Sequence, residues 1–143
     1  MKVVDFVALP DTRDRSIEAR GVALEGYLLG FKLEGPESPN CYAPDRHDFQ
    51  MWLGGKKPAT NEESKTFRVE SVVVEPTPLM QDKHPTWTKA AFMKLLSRRI
   101  RVTGWMMFDP EHPEQIGKTR ATLWEVHPVM KIEVFQGGQW VEF

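Results

Sequence analysis

The amino-acid sequence predicts a mainly β protein in which five strands and one helix form a small closed barrel. Two stretches near the C-terminus carry this prediction, residues 100–108 and 124–134, because apolar and polar residues alternate along both. A period of two is typical of a half-buried strand, whereas a helix would expose Trp124 or Ile132. On the second stretch, the residues predicted to face the core are Trp124, Val126, Pro128, Met130, Ile132 and Val134.

The chain begins with a predicted N-terminal arm, residues 1–20, and a first strand, residues 21–33. Gly26 and Gly30 interrupt that strand, and glycine inside a strand favours a bend or a bulge. Residues 34–44 contain three prolines and a glycine, a composition that predicts a long loop. The first strand is therefore expected to bend strongly enough to serve both halves of a barrel.

Two further strands and a helix follow. Residues 48–53 alternate again and predict the second strand, with Trp52 on its outward face. The run 66–75 is rich in β-branched residues and is followed by proline, which predicts the third strand. Apolar residues then recur at helical spacing, so we expect a helix from an N-cap at Thr86 to about Arg98.

Three strands, a helix and two strands, in this order, are typical of the OB-fold. That fold is a five-stranded Greek-key barrel, here with its one α-helix between strands three and four. The barrel is expected over residues 21–136, and residues 137–143 are expected to form a C-terminal tail. An open five-stranded sheet with a helix packed across it is the alternative architecture.

Composition excludes several classes of protein. The 143 residues are 41% hydrophobic and 27% charged, as in a globular domain, and no run reaches the ~18 apolar residues of a membrane span. The net charge of -1 supplies no excess positive field to attract a polyanion. The single cysteine, Cys41, excludes an internal disulfide. A cytoplasmic location is favoured, and a secreted one would require a leader that has been removed.

Aromatic and basic residues on the outward faces of the strands are the first candidates for binding. OB-fold proteins commonly bind single-stranded nucleic acid by stacking bases on aromatic side chains over a basic groove. The candidates for such a surface are Tyr27, Trp52, Lys56, Arg68 and Trp105. The alternative is that another segment of the chain covers the aromatic side chains.

A carboxylate and an imidazole form the second candidate site. Glu125 and His127 share the outward face of the last strand, and Glu75 ends the third strand, which neighbours the last one in an OB-fold. With His112, these residues are weak candidates for metal ligands, because no spacing typical of a zinc site occurs. No metal or other cofactor is predicted. A hydrogen-bonded, purely structural His127 is the alternative.

Several motifs resemble those of a family of uncharacterised bacterial domains. They are Gly35-Pro-Glu-Ser38, the strand at 48–53, His84-Pro-Thr-Trp87, Arg101-Val-Thr-Gly104, Phe108-Asp109 and Thr119-Arg-Ala-Thr-Leu-Trp-Glu-Val-His-Pro128. The family carries a similar Trp-Glu-Ile-His-Pro signature, and the resemblance extends from about Gly21 to Val134. It implies one domain in a bacterial setting. The family pattern has a histidine in strand two where this chain has Gln50, which implies one candidate ligand fewer.

The sequence favours a noncatalytic binding module. No serine lies in a nucleophile elbow, and no glycine-rich phosphate loop occurs. The partner is expected to be single-stranded nucleic acid or another protein, and no membrane is expected to be involved. The alternative functions are a protein-interaction or accessory domain and a metal-dependent hydrolase that uses glutamate and histidine on strands three and five.

Overall fold

The computed structural model describes residues 1–33 and 47–143, which form a closed barrel of five strands and one additional strand. The strands are β1 (Gly21–Leu33), β2 (Phe49–Gly54), β3 (Val72–Val74), β4 (Arg99–Phe108), β5 (Trp124–Gln136) and β6 (Gln139–Glu142). Their order is β3-β2-β1-β4-β5-β6, and a parallel pairing of β3 with β5 closes the barrel. The predicted OB-fold-like barrel is therefore confirmed, and the open sheet is wrong. The predicted loop at 34–44, with Cys41, lies outside the described residues.

The barrel core follows the predicted alternation over most of β4 and β5. The inward residues of β4 are buried: Ile100, Val102, Met106 and Phe108. On β5, Trp124 and Ile132 are fully buried, and the indole ring of Trp124 packs edge-on against Phe108. A period of two was therefore sufficient to predict which face of these strands forms the core.

The alternation of β5 changes phase in its middle. Val129, predicted to face outward, is fully buried in the core. The pairing of β4 with β5 is irregular on both sides of Gly104, and each irregularity adds one residue to β5. Gly104 makes this close crossing possible, because a Cβ atom there would lie 2.3 Å from the carbonyl oxygen of Pro128. Two bulges thus turn Val129 inward and restore the original phase by Ile132.

The third strand is much shorter than predicted. Of residues 66–75, only β3 (Val72–Val74) is a strand. The preceding residues form helix α2 (Asn61–Thr66) and a 3-10 helix (Phe67–Glu70). The Thr60 side chain caps α2 by accepting a hydrogen bond from the backbone N–H of Glu63 at 3.1 Å. This local capping outweighs the strand preference of the residues that follow it.

Two short helices, α3 (Pro78–Lys83) and α4 (Lys89–Met93), lie between β3 and β4 where one longer helix was predicted. The N-cap of α4 is Thr88, whose side chain accepts from the backbone N–H of Ala91 at 3.2 Å, and not Thr86. The apolar residues of the predicted helix, Trp87, Phe92 and Leu95, still reach the core. The helical spacing therefore identified the buried residues but overestimated the length of the helix.

Both ends of the chain pack on the barrel. The arm at 1–20 contains helix α1 (Val3–Val7), and its Val3 and Phe6 join the core. The tail at 137–143 contains β6, which pairs antiparallel with β5. Within the described part of the chain, none of the helices has the length and apolar character needed to cross a membrane.

Candidate metal-binding site

Strand ends meet where β3 and β5 close the barrel. Glu75 directly follows β3, and it is fixed beside β5 by two backbone hydrogen bonds of 2.9 Å, one to Val126 and one from Val129. Asp48 directly precedes β2, and the next residue, Phe49, donates its backbone N–H to the carbonyl of Pro76 at 3.1 Å. The backbone at Asp48 and Glu75 is thus fixed, which limits the positions that their side chains can take.

His127 lies at the centre of this junction, among three carboxylates. Its Nε2 lies 3.3 Å from Asp48 Oδ2. Its Nδ1 lies 3.1 Å from Glu125 Oε1 and 3.3 Å from Glu75 Oε2. The imidazole ring is only 8% exposed, and all three acidic residues are buried. Both ring nitrogens therefore face negative charge in a place that water scarcely reaches.

These carboxylates determine the charge of the imidazole. Burial by itself lowers the pKa of His127, but interactions with Asp48 and Glu125 and the charge of Glu75 outweigh burial and raise the pKa to about 11. Without a bound metal ion, His127 is therefore an imidazolium at neutral pH. The same negative environment that stabilises a proton also stabilises a metal cation.

Glu125 is held from its other side by a buried arginine. Arg120 Nη2 donates to Glu125 Oε2 at 3.1 Å, and Arg120 Nη1 donates to Asp109 Oδ2 at 3.1 Å. The third donor of this side chain, Nε, binds the carbonyl of Thr122 at 2.7 Å. The guanidinium side chain is 2% exposed, so Arg120 works as an internal clamp that orients Glu125 toward His127.

The arrangement can hold a divalent cation. One ligand atom each from Asp48, Glu75 and His127 lies within 4.8 Å of the other two. Nδ1 of His127 also hydrogen-bonds Glu125, and a metal-binding histidine typically donates its second N–H to a carboxylate in this way. The site thus offers three ligand atoms and one carboxylate that orients the imidazole ring.

The structure brings together three of the four residues that the sequence singled out as acid and imidazole candidates, namely Glu75, Glu125 and His127. His112 lies outside the group. Its Nδ1 is 2.7 Å from Asp109 Oδ2, and this hydrogen bond raises the pKa of His112. His112 therefore contacts Asp109, the carboxylate that also pairs with Arg120, and is not one of the candidate metal ligands.

The aromatic candidates do not form one surface. Trp52 is 5% exposed and lies beneath the guanidinium of Arg68, so helical residues 61–70 cover it. Tyr27 and Lys56 line two separate cavities beside α1. Trp105 is 46% exposed but pairs with the first residue of β1, six residues from the register position of Tyr27, or roughly 20 Å along the strand.

Sequence reasoning missed Asp48 and Arg120. Asp48 begins the predicted second strand, and Arg120 precedes the predicted last strand, but neither position carries a pattern that indicates a role. Knowledge of the β2–β3 register would have shown that Asp48 lies near Glu75, because the pairing of Met51 with Val74 puts the start of β2 opposite the end of β3. No comparable signal exists for Arg120, since its partners depend on how the loop before β5 folds back.

No protein-family model matches the chain, and a search of curated proteins finds no similar sequence. The resemblance to bacterial domains with a Trp-Glu-Ile-His-Pro signature therefore stays a prediction.

Proposed function

We propose that this chain is a noncatalytic OB-fold-like binding module whose barrel binds one divalent metal ion through Asp48, Glu75 and His127. One observation carries the proposal: ligand atoms of these three side chains lie within 4.8 Å of one another at the junction of β2, β3 and β5. Side chains fixed by strands and backbone hydrogen bonds lose little freedom when they bind an ion, which favours affinity.

We assign the ligand role to Nε2, which faces Asp48, and the proton to Nδ1, which hydrogen-bonds Glu125 and lies 3.3 Å from Glu75 Oε2. Arg120 holds Glu125 in turn. Glu125 is then a positioning residue that fixes the tautomer and the angle of the ring. Binding of the ion releases the proton that Nε2 carries in the metal-free protein.

The ligand types favour a transition metal. Imidazole nitrogen suits Zn²⁺, Fe²⁺ and similar ions, whereas Ca²⁺ and Mg²⁺ prefer oxygen ligands alone. Two carboxylates beside one imidazole fit Zn²⁺ or Mn²⁺ better than Cu⁺, which prefers sulfur. We therefore expect Zn²⁺ and Mn²⁺ to bind more tightly than Mg²⁺.

Isothermal titration of EDTA-treated protein with ZnCl2 or MnCl2 tests the proposal. We expect one ion per chain for the natural protein and no measurable binding at this site in His127→Gln or Asp48→Asn. Glu125→Gln should weaken binding by about 10- to 100-fold, as loss of an orienting carboxylate does. Titrations in buffers of different ionisation enthalpy should show release of about one proton per ion.

His112→Gln and Glu111→Gln are matched controls, because they remove a histidine and a carboxylate outside the site. Both variants should bind the ion as the natural protein does. Stoichiometric binding that survives His127→Gln, or the absence of Zn²⁺ and Mn²⁺ binding in the folded natural protein, would contradict the proposal.

The burial of the ligands supports a noncatalytic role over the alternative metal-dependent hydrolase. A catalytic metal keeps a position open for water or substrate, whereas Asp48 is fully buried and Glu75 is 7% exposed. We expect the Zn²⁺- and Mn²⁺-loaded protein to leave bis(p-nitrophenyl) phosphate and p-nitrophenyl acetate unhydrolysed above buffer controls. Hydrolysis that disappears in His127→Gln would favour the hydrolase.

The partner of the module is a separate proposal, either single-stranded nucleic acid or another protein. The exposed indole of Trp105 supports a contact surface, and the net charge of -1 speaks against strong electrostatic attraction of nucleic acid. A labelled oligonucleotide that fails to bind at low salt would leave a protein partner as the better proposal.

A further inference from the structure

A second small apolar cluster lies outside the barrel, on the face of β1, β2 and β3. It consists of Leu29, Trp52 and Val73, with Phe67 packed against them. Arg68, in the 3-10 helix after α2, places its guanidinium over the indole of Trp52, with Cζ at 4.2 Å from the ring centroid. Arg68 and Trp52 thus make a cation–π contact in otherwise apolar surroundings.

The charge of Arg68 has no counter-ion among the residues that the structure describes. Its Nε is buried and makes no hydrogen bond, and burial lowers the pKa of the guanidinium. Arg101 provides the contrast, since it also stacks on a tryptophan, Trp140 at 4.5 Å, but donates to both carboxylate oxygens of Glu133 at 2.8 and 3.0 Å. Arg68 is likewise stacked on a tryptophan, but among the described residues no carboxylate accepts its hydrogen bonds.

Trp52 adds a second unsatisfied donor to the same cluster. The residue is 5% exposed, and its indole Nε1 is buried without an acceptor. An unsatisfied buried donor destabilises the folded protein, and more so when it is charged. Two such donors in contact side chains require an explanation, and an acceptor that satisfies both is the simplest one.

The sequence also provides the space that this arginine occupies. Gly30 lies in β1 beside a bulge, and a Cβ atom on it would come within 2.2 Å of Arg68 Nη2. Any side chain at position 30 would therefore push the guanidinium away from Trp52. The slot for the cation is formed jointly by the glycine, the indole ring and the 3-10 helix.

We propose that Arg68 and Trp52 form a binding site for an oxyanion, a phosphate or carboxylate group of a ligand. A guanidinium provides donors in a planar fork that matches two oxygens of such a group. The apolar surroundings strengthen this interaction, because little water competes for the donors. The site is separate from the metal candidate and does not require a bound metal ion.

Side-chain NMR of the EDTA-treated, full-length protein tests the proposal. Two-dimensional 1H–15N spectra report the Nε–H groups of arginine and the indole N–H of Trp52, and sodium phosphate, sodium acetate and sodium chloride are added at matched ionic strength. We expect phosphate or acetate, and not chloride, to shift the Arg68 and Trp52 resonances in a saturable way. The anion that saturates the shift at the lower concentration identifies the preferred oxyanion.

Arg101 is the internal control, because its Nε already donates to Glu133 and should show no saturable shift. The variant Arg68→Lys should weaken the Trp52 response at least tenfold, while Arg101→Lys leaves it unchanged. Arg68 and Trp52 resonances that stay in place in phosphate and acetate, or that move equally in chloride, would overturn the proposal. Because this readout uses the natural protein, it holds even if an Arg68 variant fails to fold.

Discussion

Two arginines of this protein, Arg120 fully buried and Arg68 partly buried, have opposite surroundings. Arg120 is enclosed by two carboxylates and a backbone carbonyl, so all three of its nitrogens have acceptors. Arg68 is stacked on Trp52 with its Nε unsatisfied and no carboxylate at ion-pair distance among the described residues. The first arginine completes a closed network, and the second leaves donors available for a ligand.

The difference shows how the same residue type serves stability in one place and recognition in another. A buried charge is retained only if partners replace its hydration. In the closed network, Asp109 and Glu125 provide that replacement permanently, and Glu125 extends the network to His127. In the open cluster, replacement is left to a molecule from outside. Substitutions that remove each charge should therefore have very different consequences.

The largest effect is expected for Arg120→Met. This change removes the guanidinium that Asp109 and Glu125 share and leaves each carboxylate with only a histidine partner. Removing one partner of a buried ion pair costs about 3–5 kcal/mol. Urea denaturation at pH 7 measures the loss in the free energy of unfolding.

Arg101→Met is the matched control for Arg120→Met, because Arg101 also pairs with a carboxylate but lies at the surface. The Arg101 side chain is 31% exposed, and ion pairs that water reaches contribute less than fully buried ones, so its loss should be clearly smaller. Equal losses for the two variants would mean that burial does not distinguish the two pairs, and the closed network would then have no special role.

The sequence contained most of what determines the barrel and little of what determines these two arginines. The alternation around Trp124 and Ile132 is local, because each strand needs one apolar face, so the core could be predicted. The inward position of Val129 could not, since it depends on two bulges opposite Gly104. A period of two identifies a strand but cannot show where an extra residue interrupts it.

The candidate site was predictable only in part, for the same reason. Glu125 and His127 are two residues apart on one strand, so their proximity followed from the alternation. Asp48 and Arg120 enter through register and loop geometry, which are long-range properties. Covering of Trp52 by another segment was the alternative prediction, but helical residues 61–70 were not expected to be that segment, because residues 66–75 favour strand by composition while the cap at Thr60 starts a helix before them.

The second effect concerns the pH dependence of stability in the closed network. Because the folded-state pKa of His127 is about 11 and its ordinary value is 6.5, the folded protein holds one proton more than the unfolded chain between these values. The contribution of His127 to the free energy of unfolding is therefore complete below about pH 6.5 and is lost as the pH rises toward 11. The slope is about 1.4 kcal/mol per pH unit, or about 3 kcal/mol from pH 7 to pH 9.

Urea denaturation in EDTA at pH 7, 8 and 9 measures this slope, and His127→Gln should flatten it by about 1 kcal/mol or more per pH unit. His112→Gln, which removes a histidine at the surface end of the network, should keep most of it. A natural protein whose stability is constant from pH 7 to pH 9 would show that the three carboxylates do not hold a proton on His127.

The smallest effect is expected for Arg68→Met, which removes the cation of the open cluster. The stacking on Trp52 is lost, but so is the cost of holding an unpaired guanidinium away from water, and the two contributions have opposite signs. We expect the free energy of unfolding to change by less than about 1 kcal/mol, because a cation over an aromatic ring is worth about 0.5–2 kcal/mol and its desolvation offsets part of that. Urea denaturation in phosphate-free buffer measures this change, in parallel with that of Arg120→Met.

Millimolar phosphate or acetate should then stabilise the natural protein and not the Arg68→Met variant, since only the natural protein has donors left to satisfy. A loss of more than about 3 kcal/mol in Arg68→Met, as large as that expected for Arg120→Met, would mean that Arg68 already has its partner and that both arginines belong to closed networks.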